Sequence, residues 1–220
     1  MITALLPIVA VHISYLLAAT WQHVPWCVPY WDSCTSISAT GRHSPEYYFF
    51  KATMIPTAIM MMVFWRVCYE WLLALGDEKN WQTKTIPVIG FIAALCLILY
   101  TTVLGADGDL FRLQRKIGVI IYFAFTALAQ LLLTRRVGRI HANSKAIPAE
   151  IYMSLYSLSA LILAIAILSV FLGVFYSLYD QIEDAFEWVL ALLIHCYFLV
   201  IYFAFEKTSF SISYTAGSGR

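Results

Sequence analysis

The fold class predicted by the sequence is all-α: a polytopic membrane protein with six transmembrane helices in one bundle and a long first extracytoplasmic loop. Three observations predict it. Of the 220 residues, 61% are hydrophobic, too many for a soluble domain of this size to hide. Only 12% are charged, against about 25% in an average soluble domain. The apolar residues also fall into long runs without the two-residue alternation of strands, and a spanning helix needs about 20 of them.

In order, the runs cover 3–20, 48–75, 86–105, 114–134, 151–178 and 185–205. The first lies in "MITALLPIVAVHISYLLAATW", which lacks a basic leading region. It reads as a retained span, although its length also allows a signal peptide. Pro56 predicts a kink in the second span. In the fifth, Ala160 and Ala164 permit close helix packing, and Ser154, Ser157 and Ser159 are placed to bond across helices. One domain is expected over 1–210, followed by a polar tail at 211–220. No internal repeat is visible, and a net charge of +1 gives nothing for nucleic acid to bind.

Lys and Arg near the span ends set the orientation. Arg66, Lys79, Lys84, Arg135, Arg136, Arg139, Lys145, Lys207 and Arg220 fall on one side. Arg42, Lys51, Arg112, Arg115 and Lys116 fall on the other. Nine against five places the first group, and both termini, in the cytoplasm. "TRRVGRIHANSK" (134–145) is the strongest anchor. Loop 21–47 is then extracytoplasmic.

That loop opens with "WQHVPWCVPYWDSC" (21–34). Trp21, Trp26, Tyr30 and Trp31 suit the headgroup level, and Pro25 and Pro29 oppose a regular helix. Cys27 and Cys34 could form a disulfide in an oxidising compartment or remain free thiols; their spacing leaves both open. "SISATGRHSPE" (36–46) follows. Gly41 permits a turn, Pro45 suits a helix start, Ser44 suits its cap and Glu46 its first turn.

Ile37, Ser38, Thr40 and Gly41, followed by Pro45 and Glu46 and then a span, form an I-S-x-T-G…P-E pattern. This pattern resembles the DRAM/Frag/Sfk membrane family. That family includes damage-regulated autophagy modulators, the FGF-receptor-activating-gene product and post-GPI-attachment remodelling proteins. Glu187 and Trp188, before an aromatic-rich stretch, are similar to the start of the family's last helix. The resemblance implies six spans, cytoplasmic ends and work with membrane lipids. The autophagy modulators tend to carry an acid where this chain has Ala39, while the GPI-remodelling type reads closer to "SISA".

Ionisable groups at membrane depth are functional candidates by default. His12 and His195 lie near the middles of spans one and six, and can meet if those spans are neighbours. Arg66 and Glu70 share a helix face and can pair. Gln130 suits an interhelical hydrogen bond. These five are the expected buried polar residues. No metal-ligand spacing and no cofactor motif appears.

Two functional classes follow, with membrane lipids as the expected partners and another membrane protein as the alternative. In the first, the chain binds lipid through the loop and bundle mouth, using Arg42, His43, Glu46, Arg112, Arg115, Lys116 and Trp188. In the second, it remodels acyl esters, with Ser36 or Ser38 as nucleophile, His43 as base and Glu46 or Glu187 orienting it. A transporter ranks below both, for want of repeats.

Overall fold

The computed structural model describes residues 1–212; Arg220 and most of the expected tail lie outside the described residues. Six helices are long and apolar enough to span a membrane: α1 (Ile2–Thr20), α3 (Glu46–Ala74), α4 (Trp81–Thr102), α5 (Asp109–Ser144), α6 (Ala149–Phe175) and α7 (Glu183–Lys207). A seventh helix, α2 (Pro29–Asp32), is a single turn. Among the described residues there is no strand.

The long helices pack in a ring in chain order. Helix α1 contacts α3 and α7, and α5 also reaches across to α7. The first loop closes one end of this ring, the loop end, together with the turns at 103–108 and 176–182. The opposite, terminal end carries Met1, the turns at 75–80 and 145–148, and Lys207. Small residues allow the close approaches inside the ring. A Cβ on Gly90 would lie 2.3 Å from the Trp65 ring, so α4 presses against α3 only because no side chain intervenes.

Several boundaries differ from the hydropathy reading, for physical reasons. Helix α5 runs 36 residues, to Ser144, so the basic stretch 134–145 is helical through Ser144 and not a loop. Arg is a good helix former, and its charge matters only within hydrocarbon. At about 1.5 Å per residue the helix is about 54 Å long, well beyond an apolar core of about 30 Å. Helix α3 starts at Glu46 without a side-chain cap, so Ser44 does not cap it. It continues through Pro56, while Thr53 and Thr57 donate to the carbonyls of Phe49 and Thr53. Pro29 does not prevent a helix; it begins α2, where its missing N–H costs nothing.

The most buried ion pair closes the terminal end. Asp77 and Arg136 are each only 5% exposed. Arg136 donates through Nε to Asp77 Oδ2 at 2.9 Å and through Nη2 to Oδ1, a bidentate arrangement. Thr83 Oγ1 donates to the same carboxylate at 2.9 Å, and Asn80 Oδ1 caps α4 by accepting from Thr83 N. The turn between α3 and α4 is thereby fastened to α5.

The ring is closed unevenly. Helix α6 leaves most of its surface to lipid, with only 11% of its most apolar window buried. Ala160 and Ala164 are exposed, contrary to the sequence expectation. Ser159 is buried and shares a hydrogen bond of 2.8 Å with Thr134 on α5.

A candidate lipid site at the loop end

The first loop is held down by its own aromatics. Tyr15 Oη on α1 donates to Cys27 O and accepts from Cys27 N, both at 2.8 Å. Cys27 and Cys34 are joined by a disulfide. Trp188 on α7 is buried and donates through Nε1 to Thr35 O at 2.8 Å. Its ring meets those of His12, Tyr15 and Tyr30 at 5.4–6.1 Å. Ser33 Oγ accepts from Ala185 N, satisfying a free amide in the first turn of α7. The loop is therefore part of the core as well as a cover.

His12 is explained by this packing. Its Nδ1 faces Ile8 O at 2.7 Å, and a carbonyl only accepts, so Nδ1 carries the proton. Nε2 then accepts from Tyr30 Oη at 3.0 Å. Burial holds the Tyr30 phenol above its ordinary range, which keeps it a donor. His195 likewise donates to Ala191 O at 2.6 Å. The two imidazoles line the same void of about 20 Å³, but each bonds back to its own helix. Gln130 is buried and donates to Ile194 O at 2.9 Å. Arg66 and Glu70 do pair, yet the pair is on the exposed surface of α3, so neither is a buried polar residue.

The "ISATG" stretch is shaped by close contact. Ile37, Thr40 and Gly41 are buried, and Thr40 Oγ1 donates to Ile37 O at 2.8 Å. A Cβ on Gly41 would come within 2.8 Å of both Leu104 and Phe50. Ser38 is left facing outward between α4 and α5, its Oγ accepting from Tyr100 Oη at 3.1 Å.

Around Ser38 lie two joined spaces. One, of about 240 Å³, is lined by Ser38, Arg42, Arg112, Arg115, Lys116 and Val119, with four cations and no carboxylate. The other is a cleft of about 660 Å³ that shares Ser38, Arg42, Lys116 and Val119 with the first. Its walls are α5 (Ile120, Phe123, Ala127) and α6 (Ile162, Ala166, Val170), and α7 supplies Glu187, Leu190 and Ile194. Thr134 and Gly138 on α5 touch Ser159 and Tyr152 on α6 nearer the terminal end. The two helices thus meet there and part toward the loop end. The result is a basic headgroup-sized chamber opening into an apolar slot, within the size range of ligand sites.

The structure divides the sequence candidates into groups. Arg42, Arg112, Arg115 and Lys116 converge on the basic chamber, and Glu187 and Ser38 face the adjoining cleft. Arg115 is partly committed, since Nη1 donates to Ala106 O at 2.6 Å. His43 and Glu46 lie in a different cluster. Glu46 is fully buried and accepts from His23 Nδ1 at 2.5 Å, and the His23 and His43 rings are 4.7 Å apart. Neither lines the cleft. Trp188 is withdrawn from lipid, because its indole N–H is used inside the core. Among the described residues no imidazole hydrogen-bonds Ser36 or Ser38; Ser36 Oγ instead accepts from Ala39 N. His23 carried no sequence signal beyond its place in a polar loop. The partnership of Asp77 with Arg136 joins residues 59 apart.

Six apolar spanning helices with a cleft open among them define a multi-pass integral membrane protein. Residues 1–208 match the Frag1/DRAM/Sfk1/Cwh43P N-terminal domain, and the chain belongs to that family. Comparison with curated proteins and with solved structures returns no match.

Proposed function

We propose that this membrane protein seats a phosphate-bearing lipid at its loop end. The headgroup phosphate rests among Arg42, Arg112 and Lys116, and an acyl chain lies in the slot between α5, α6 and α7. One observation carries the reading: the four-cation chamber and the apolar cleft share a wall, so one amphipathic molecule can occupy both. Arg42 and Lys116 have no protein carboxylate in contact, and such guanidinium and ammonium groups are suited to phosphate oxygens. The Lys and Arg balance supports an extracytoplasmic loop end and cytoplasmic termini. The residues 1–210 act as one unit in this reading.

A remodelling enzyme keeps Ser38 and Glu187 in one cleft but gives Ser38 no base. Binding is therefore the reading the geometry supports best. The test is a purification of the full chain in mild detergent with phosphorus assayed per mole of protein. A variant carrying Arg42→Ala and Lys116→Ala should bind phospholipid about a hundredfold more weakly, since each charge-assisted contact is worth on the order of one decade of affinity. Equal retention by variant and parent overturns the proposal.

A further inference from the structure

The cleft holds charges of both signs. Arg42 and Lys116 lie at its mouth, and so do Glu183, Asp184 and Glu187 from the start of α7. They do not neutralise one another by contact: the four ion pairs among the described residues join His23 with Glu46, Arg66 with Glu70, Arg112 with Asp109, and Arg136 with Asp77. The wall thus presents a positive patch beside a negative one, with room between them. The positive patch continues into the basic chamber, which has no acid; the negative patch does not.

We infer that the lipid seated here is a diacyl phospholipid with a phosphoethanolamine headgroup. This inference rests on the lipid-seat reading above and adds the headgroup's chemistry. Phosphate alone accounts for Arg42, Arg112 and Lys116 but leaves three carboxylates facing an anion. A headgroup ending in a primary ammonium places its positive charge against Glu187 and Asp184 and gives them N–H donors. A choline headgroup has the charge but no N–H to donate. A glycerol headgroup has no positive charge, and a serine headgroup adds a carboxylate that Glu183, Asp184 and Glu187 repel. Charge complementarity along the wall selects the zwitterion with the primary amine.

The experiment exchanges the full chain into nanodiscs containing equal amounts of phosphatidylethanolamine, phosphatidylcholine and phosphatidylglycerol. The lipid retained is then read by native mass spectrometry. Phosphatidylethanolamine should be retained about tenfold over the other two, and Glu187→Gln should bring that ratio toward one. Asp184→Asn provides a second, independent variant, and the parent's preference is measured whether or not either variant folds. Equal retention of all three lipids, or a preference for phosphatidylglycerol, overturns the headgroup assignment and leaves the lipid seat standing. No retained lipid of any kind overturns both.

Discussion

The two ends of α5 carry the same residue types and use them in opposite ways. At the terminal end, Arg136 is buried and bound at two points to Asp77, with Thr83 completing the set. At the loop end, Lys116 is exposed, has no carboxylate in contact and lines the basic chamber. A buried cation whose bonds are filled by protein fixes the fold. A cation facing an open space with its donors free is available to a ligand. Position in the sequence does not separate these roles; the presence of a carboxylate in contact does.

That contrast can be broken by mutation, beginning where the effect is largest. Arg136→Ala leaves Asp77 buried and uncompensated, and should cost about 3–5 kcal/mol of stability. A thermal melt in detergent measures it, and the surviving folded fraction should retain lipid as the parent does. At the loop end, Cys27→Ser opens a short ring, and a loss of about 2–3 kcal/mol is expected. Hydrogen exchange should rise across 21–45 and stay unchanged at the turn 75–80; equal loosening at both ends would contradict independent closures. Trp188→Phe keeps the ring packing but strands Thr35 O, for about 1–2 kcal/mol. Smallest in stability is Arg42→Ala with Lys116→Ala, within about 0.5 kcal/mol because both side chains are exposed. Its effect belongs in lipid retention, so a large melting shift with unchanged lipid would reverse the roles assigned to the two ends.

The spans were legible because lipid demands only an uninterrupted apolar run, and each of the six contains one. Their ends were less so. Arg135 and Arg139 stop a hydropathy window but not a helix, so α5 ran on to Ser144. Helix α6 illustrates the converse: its small residues suggested a packed interface, yet Ala160 and Ala164 face outward. In the site, the basic residues were visible individually, and their convergence with Ser38 on one chamber was not. That convergence depends on how the first loop folds against α5, which no local pattern encodes. Trp188 looked like a membrane-facing aromatic because nothing near it in sequence offers its N–H a partner; the partner, Thr35, is 153 residues away. Glu46 and His23 were hidden in the same way, by a pairing across the loop.

The bonds from the first loop to the last helix carry a consequence for how the chain is made. Ser33 and Thr35 find their partners at Ala185 and Trp188, 152 and 153 residues later. At a synthesis rate of about 5–20 residues per second, that interval is roughly 8–30 s. Throughout it the loop has emerged while its anchor does not yet exist. Tyr15, the Tyr30–His12 bond and the disulfide need only the first 34 residues, and the His23–Glu46 pair only the start of α3, so these contacts can hold the loop in the meantime. The ring is therefore locked last where it was begun, and a chain truncated before α7 should display this loop unseated.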